Sequence, residues 1–404
     1  MKLSNNTDSI LMPELPNVEP IRKQMFLDFC QAMDKNGIRY VILSGYQEYP
    51  DKIESDVDFM VSEDDFKKLD SFFSRPNIIA GAKLVQILRH ETTACYYVLA
   101  KQVGDKIAYL HPDASASYRR NRRLWLRSEP VLASRRKSLS GFWIPAAAVE
   151  FEYYLVKRID KGSIDTHHLL QLATLQQEDT DGCRLAVVGI ISPKMVDKLI
   201  KAISNNDVKW FSQHLKELQV MLTRSPERET FVERLYGWMG ELYRIKHRIL
   251  QPTGLTVAVL GPDGSGKSTI IKHLEREFTP AFRKFRYFHL RPHLGKASSG
   301  IVVTDPHAQP PRGYFASVLK VFLFIIDYWV GWLTLVQPAK VRSSLVIFDR
   351  YYHDMLVDPT RYRLPKRFRL ARMLTSLIPK PDIVLILSAS PEVLVKRKGE
   401  ISLA

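Results

Sequence analysis

The chain has 404 residues, 45% of them apolar and 25% charged, a balance that excludes a mainly disordered or collagen-like protein and leaves room for two or three domains. Its formal charge of +16 favours anionic partners: nucleotides, nucleic acid, phosphorylated compounds or an acidic membrane face. Three widely spaced cysteines, Cys30, Cys95 and Cys183, exclude a disulfide framework or a CxxC metal pair and point to a reducing, cytoplasmic compartment, and polar residues 1–20 lack the apolar stretch of a signal peptide.

From residue 18 to 35 the apolar side chains Ile21, Met25, Phe26, Phe29 and Met33 recur at helical spacing, and Gly37 stops the helix. A strand over 40–43, a loop over 45–52 and the alternating run Asp56-Val57-Asp58-Phe59-Met60-Val61 of a half-buried strand follow. Ser62 is placed to cap a helix reaching about Phe73, with Asp65 at the capping-box position. Residues 94–102 and 106–111 read as a hairpin around Gly104-Asp105. The mixture is α/β.

Acids two apart on a strand face the same way, so Asp56 and Asp58 can hold one or two magnesium ions around a triphosphate. Ser44-Gly45, followed after ten residues by Asp56-Val57-Asp58, resembles the nucleotidyltransferase signature, and the resemblance implies a mixed α/β, nucleotidyltransferase-like domain over residues 1–140. A third acid on a later strand is then expected, and Asp113 is the candidate. The turn departs from the signature in reading Ser-Gly instead of Gly-Ser. Residues 118–137 carry Arg119, Arg120, Arg122, Arg123, Arg127, Arg135, Arg136 and Lys137 with Tyr118 and Trp125 among them. A basic face beside a triphosphate site is favoured there over a nucleic-acid surface.

Residues 141–250 change to long helical segments, 146–157, 167–177, 193–203, 208–222 and 227–250, a helical connector that Pro252-Thr253-Gly254 ends. Residues 251–404 then alternate strands (256–260, 345–348, 383–387) with helices (269–278, 317–336, 370–377, 391–396), the pattern of a parallel sheet covered on both faces. Lys320 and Asp327 interrupt the apolar run 315–336, which therefore reads as a buried helix and not a membrane span.

Gly261-Pro262-Asp263-Gly264-Ser265-Gly266-Lys267-Ser268 satisfies GxxxxGK[ST], with an apolar strand before it and an amphipathic helix after it. Glycines let consecutive backbone N–H groups wrap a phosphate, so Gly261, Gly264, Ser265, Gly266, Lys267, Ser268 and Thr269 are the candidate contacts for ATP. Lys267 would neutralise the terminal phosphates and Ser268 would ligate Mg2+. Leu345-Val346-Ile347-Phe348-Asp349-Arg350 is a strand whose carboxyl end belongs near the phosphates, with Asp349 as the second magnesium candidate.

The P-loop with its embedded Asp263, the run Asp349-Arg350-Tyr351-Tyr352, and Ser388-Ala389-Ser390-Pro391-Glu392-Val393 together resemble the thymidylate kinase family over about residues 255–400. The resemblance implies a P-loop three-layer parallel-sheet fold and ATP-dependent, magnesium-assisted phosphoryl transfer. It assigns Asp263 to the acceptor sugar, Arg350 to the acceptor phosphate, and Arg397 and Lys398 to the start of a lid that closes over the phosphates. Two departures accompany it. The family runs on past the lid through elements that complete the adenine pocket, so with the ending at Ala404 either a truncation or a pocket finished differently is expected; and residues 354–363, with the basic cluster Arg361, Arg363, Lys366, Arg367, Arg369 and Arg372, point to an acceptor other than thymidylate.

The expected reaction is transfer from ATP to a small phosphorylated or hydroxyl acceptor, nucleotide- or sugar-like. The alternatives are nucleotidyl transfer through Asp56 and Asp58, and a nucleotide-binding regulatory or scaffold protein without catalysis. Sequence alone leaves the oligomeric state open.

Overall fold

The computed structural model describes residues 18–120, 123–224, 230–292, 310, 312–365, 368–390 and 392. The chain divides into two compact units, Met1–Met239 and Gly240–Ala404.

The first unit begins with α1 (Glu19–Lys35), followed by β1 (Tyr40–Ile42) and β2 (Val57–Val61). Ser62 caps as expected, its Oγ accepting from the Asp65 N–H at 3.1 Å. The expected single helix is nevertheless two short ones, α2 (Glu63–Phe66) and α3 (Leu69–Phe73). After them come β3 (Ala82–Glu91), β4 (Ala94–Val103), β5 (Lys106–Leu110) and β6 (Pro112–Ser115). The sheet runs β1-β2-β6-β4-β3 with β5 added to β4, and β2 and β6 are its parallel pair. β2 is therefore central, and Val57, Phe59, Met60 and Val61 are all buried instead of alternating. Helix α1 lays Met25, Phe26, Phe29 and Met33 on one face of the sheet, where the Phe29 ring meets Phe59 edge-on at 5.3 Å.

A hairpin, β7 (Ser117–Arg120) and β8 (Arg123–Arg127), and the short elements α4 (Ser128–Ala133), β9 (Arg136–Lys137) and β10 (Trp143–Ile144) lead into the helices. Those are α5 (Ala147–Lys161), α6 (Thr166–Glu178), α7 (Thr180–Val188), α8 (Pro193–Ser204) and α9 (Val208–Arg224). They share a second core of Phe151, Leu155, Leu172, Leu199, Phe211 and Leu218, which also takes in Trp125. Trp125 and its neighbour Tyr118 thus face inward, so the basic run lacks the exposed aromatics that stack on bases.

Helix α10 (Phe231–Leu250) contains the boundary between the units. The second unit holds β11 (Leu255–Leu260), α11 (Lys267–Phe278), β12 (Lys284–His289), α12 (Tyr314–Gly331), α13 (Gln337–Val341), β13 (Ser344–Asp349), α14 (Asp354–Val357), α15 (Arg369–Met373) and β14 (Ile383–Ile386). Its strands form one parallel sheet in the order β12-β13-β11-β14. Alternate residues serve its two faces: Val257, Val259, Leu345 and Ile347 meet Ile271 of α11, while Ala258, Val346 and Phe348 meet Val321, Phe324 and Tyr328 of α12. Asp382 fixes the start of β14, accepting from the Thr256 N–H at 2.7 Å and from Lys340 Nζ at 2.8 Å.

Helix α12 corrects the expectation of a buried helix. Among the described residues its buried positions are Ser317, Val321, Phe324, Ile325, Tyr328 and Gly331, while Phe315 is 87% and Leu319 61% exposed. The continuous helical stretch Tyr314–Val341 is, among the described residues, long and apolar enough to cross a membrane, and 28% of its most apolar window is buried.

Candidate phosphate-binding site

Strand β11 delivers the loop 261–266 to the carboxyl end of the sheet, where α11 starts at Lys267. Gly261 has φ +151°, and a Cβ there would stand 2.6 Å from the Leu387 carbonyl oxygen, so no side chain fits. Gly264, at φ +85°, makes the loop's second left-handed turn. The loop so formed is a concave run of backbone N–H groups at the positive end of a helix, a ready site for phosphate.

Lys267 is buried, and its Nζ donates to the Gly261 and Pro262 carbonyls at 2.8 and 2.7 Å. Burial and the charge of Arg350 push its pKa down, against the opposing pull of Asp263 and Asp349. The Ser265 Oγ is buried with no hydrogen-bond partner among the described residues. Ser268 and Thr269 are exposed at the start of α11.

Strand β13 is paired with β11 so that Asp349 lies opposite Val259, and Arg350 follows in the left-handed region at φ +74°. A non-glycine residue there carries backbone strain, held in place by the Arg350 N–H donating to the Val259 carbonyl at 3.0 Å. The turn sends the Arg350 guanidinium back over the P-loop. Its Nη2 donates to Asp263 Oδ1, and its Nη1 donates to Asp354 Oδ2 at 2.8 Å.

Asp263 is gripped a second time. Arg361 Nη1 donates to its Oδ2 at 2.9 Å, and Lys267 Nζ stands 3.5 Å from its Oδ1. Burial works against ionisation of this carboxyl, but the hydrogen bond from Arg361 and the charges of Arg350, Arg361 and Lys267 outweigh it and hold it well below the usual carboxylate range. Tyr362 OH completes the cluster by donating to Asp354 at 2.7 Å. Segment 354–362 is thus folded onto the P-loop through both arginines.

Asp349 shows one satisfied and one open oxygen. Its Oδ2 accepts from Tyr287 OH at 3.0 Å and lies 3.7 Å from His289 Nδ1, while its Oδ1 is buried with no partner among the described residues. Burial opposes ionisation of Asp349, yet His289, Tyr287 and the charge of Lys267 keep its pKa lowered. An ionised carboxylate with a vacant lone pair beside a P-loop and an exposed serine hydroxyl is the oxygen donor set that a magnesium ion takes up with nucleotide phosphates.

Of the residues singled out from sequence, Asp263, Lys267 and Arg350 come together in direct contact, and Asp349 sits beside them. Arg397 lies outside the described residues. Of the basic cluster, Arg361 turns inward to Asp263, Arg363 donates to the Pro310 carbonyl at 3.2 Å, Arg369 and Arg372 are exposed, and Lys366 and Arg367 lie outside the described residues. Sequence reasoning missed Tyr287 and His289. The alternation Lys284-Phe285-Arg286-Tyr287-Phe288-His289 was the available signal, since period two marks a strand and puts Tyr287 and His289 on one side.

In the first unit Asp58 and Asp113 stand opposite each other on adjacent parallel strands. The carboxylates of Asp56, Asp58 and Asp113, expected from sequence to hold magnesium, each have a neighbouring side chain. Lys157 Nζ lies 2.7 Å from Asp58 Oδ2, Tyr96 OH donates to Asp56 Oδ1 at 2.9 Å, and His90 Nε2 is 3.6 Å from Asp113. Among the described residues no three His, Cys, Asp or Glu side chains are arranged around a common metal position.

The geometry of the second unit defines a P-loop nucleotide-binding module. The sequence model of the thymidylate kinase family matches residues 259–403, and the C-terminal part of the chain is accordingly thymidylate-kinase-like. Thymidylate kinase of Xanthomonas euvesicatoria pv. vesicatoria is 30% identical over 143 residues, covering 35% of this chain and 59% of that protein. Probable thymidylate kinase 1 of Saccharolobus solfataricus is 28% identical over 150 residues, 35% of this chain and 68% of its own. Among solved structures, thymidylate kinase from Candida albicans aligns over 37% of this chain and 69% of its own at 21% identity and a TM-score of 0.27. The chain spans about three fifths of the length of the Xanthomonas relatives it matches.

Proposed function

We propose that the second unit transfers the γ-phosphoryl group of ATP to a small acceptor that itself carries a phosphate, a nucleotide- or sugar-like monophosphate. The observation that carries this reading is the convergence of Arg350 and Arg361 on the P-loop carboxylate of Asp263. Two guanidinium groups aimed at one carboxylate form a fork that also suits the oxygens of a phosphomonoester. Asp263 keeps both aimed at the loop until the acceptor arrives, and its carboxylate then faces the acceptor's hydroxyl groups.

The loop N–H groups and Lys267 cradle the donor phosphates, Lys267 exchanging its two carbonyl partners for phosphate oxygens. Asp349 and Ser268 are the residues that would hold magnesium, which when bound neutralises charge on the β- and γ-phosphates. Tyr287 and His289 fix the orientation of Asp349, leaving its second oxygen directed at the site. Catalysis by this arrangement rests on positioning and charge neutralisation, because phosphoryl transfer asks little covalent chemistry of the protein.

The test is ADP formation from ATP across a panel of nucleoside and sugar monophosphates, with Arg361→Ala beside the parent chain. Loss of one charge-assisted hydrogen bond corresponds to a rise of roughly 10- to 100-fold in acceptor KM. The KM for ATP should stay within about twofold. Equal rises in both would assign Arg361 to the fold of the P-loop and not to the acceptor.

A further inference from the structure

The first unit contains a pocket of about 1100 Å³, large enough for a nucleotide-sized ligand, that phosphoryl transfer at the P-loop leaves unused. One wall is the turn at Ser44 and Gly45 with Asp56, Asp58 and Asp113; the other is α5 and α6, with Tyr154, Lys157, Arg158 and His168. Lys157 belongs to both walls. Its side chain is 15% exposed, it bridges to Asp58 at 2.7 Å, and Tyr153 OH stands 2.9 Å from the same Nζ.

A divalent ion entering at Asp58 would have to break this largely buried ion pair and leave the ammonium group unmatched, which is strongly unfavourable. Of the other acids lining the pocket, Glu54 and Glu178 pair with Lys52 and Arg136, each at 2.5 Å, Glu48 shares Lys52 at 3.6 Å, and Asp56 and Asp113 meet Tyr96 OH and His90. Donors at the turn and on α5 are nevertheless open. The backbone N–H groups of Ser44, Gly45, Tyr46 and Gln47 donate to no backbone carbonyl among the described residues, and Gly45 sits in the left-handed region at φ +77°, a conformation that anion-binding turns use. Arg158 stacks 4.9 Å over the Tyr154 ring with its Nε buried and without a partner among the described residues.

We propose that this pocket binds a phosphate ester without a divalent cation, the ammonium group of Lys157 standing where a metal would otherwise bridge Asp58 and the ligand. Phosphate oxygens accept from the Ser44–Gln47 turn, Lys157 and Arg158, and Tyr154 and His168 flank the rest of the molecule. The unit is then a metal-independent anion site, separate from the P-loop for which magnesium is proposed.

The experiment uses the full chain carrying Lys267→Ala, so that the P-loop contributes little, and titrates it calorimetrically with ATP and with inorganic tripolyphosphate, in EDTA and in excess magnesium. The expected result is saturable binding of one equivalent with the same affinity, within about twofold, in both conditions. Adding Lys157→Ala should weaken it at least about tenfold in EDTA, as losing a charged contact requires, and Lys157→Arg should restore part of it. Arg158→Ala gives the same answer if Lys157→Ala unfolds, and thermal melting separates the two cases. Binding that appears only with magnesium, or no saturable binding in the Lys267→Ala chain, overturns the proposal. ADP formation, read with the P-loop intact, reports separately on phosphoryl transfer at the second unit.

Discussion

Asp263 illustrates how much one side chain settles in this chain. Three cations surround it, so its carboxyl stays ionised far below the usual range, and the folded-state pKa lies under the unfolded value. A group depressed in this way stabilises the fold above its unfolded pKa and loses that contribution as pH falls through the folded one. Unit two should therefore lose stability on acidification below about pH 4, and Asp263→Asn should flatten that part of the curve. Acid titrations followed by circular dichroism decide this; an unchanged acid limb in Asp263→Asn would show that the two arginines are not drawing on its charge. Sequence exposed Asp263, Lys267, Asp349 and Arg350 because each sits in a local pattern. Arg361 escaped as a direct partner of Asp263 because their contact, 98 positions apart in the chain, depends on the left-handed turn at Arg350 and the folding back of segment 354–362. Neither is written in local spacing.

At the scale of elements, α5 carries the most informative buried charge. Glu150 is fully buried, accepting from Tyr46 OH and from Gln171 Nε2, and burial pushes its pKa up to about 7 despite both bonds. Between the ordinary glutamate value of 4.5 and about 7 the folded state keeps a proton that the unfolded chain has lost, so stability should fall as pH rises through this window. The decline is on the order of 3 kcal/mol at 1.36 kcal/mol per unit. Glu150→Gln should remove it, which urea unfolding at pH 5 and pH 7.5 will read as a convergence of the two midpoints; the same slope in both proteins would contradict it.

The elements that sequence missed were hidden by their composition. Helix α7 contains Gly182 and Val187-Val188, poor helix formers, and is held by Asp179, whose Oδ1 accepts from the Gly182 N–H at 2.9 Å. Strand β12 alternates charged and aromatic residues at a sheet edge, so it lacks the apolar run that reveals β11 and β13. Helix α12 was visible as an apolar run, but not its one-sided burial, because a run so apolar, broken by only Lys320 and Asp327, has no stripe to read.

The whole molecule joins two units of different legibility. The second announces itself through motifs that carry their own chemistry, and the structure brings those motifs to one end of one parallel sheet. In the first, the acids were legible on β2 and β6, while Lys157 was not, because it comes from a helix about a hundred residues later and meets Asp58 only through tertiary packing. The proposed metal-independent anion site rests on that one lysine.

The central claim is that the P-loop unit phosphorylates a monophosphate acceptor, and the most direct measurement is acceptor-dependent ADP release by the full chain with ATP and magnesium. The account predicts release that requires a monophosphate and falls by roughly 10²–10³ in kcat for Lys267→Ala, the scale on which removing one preorganised charge contact acts. Undiminished release by Lys267→Ala, or release indifferent to every monophosphate offered, would contradict it.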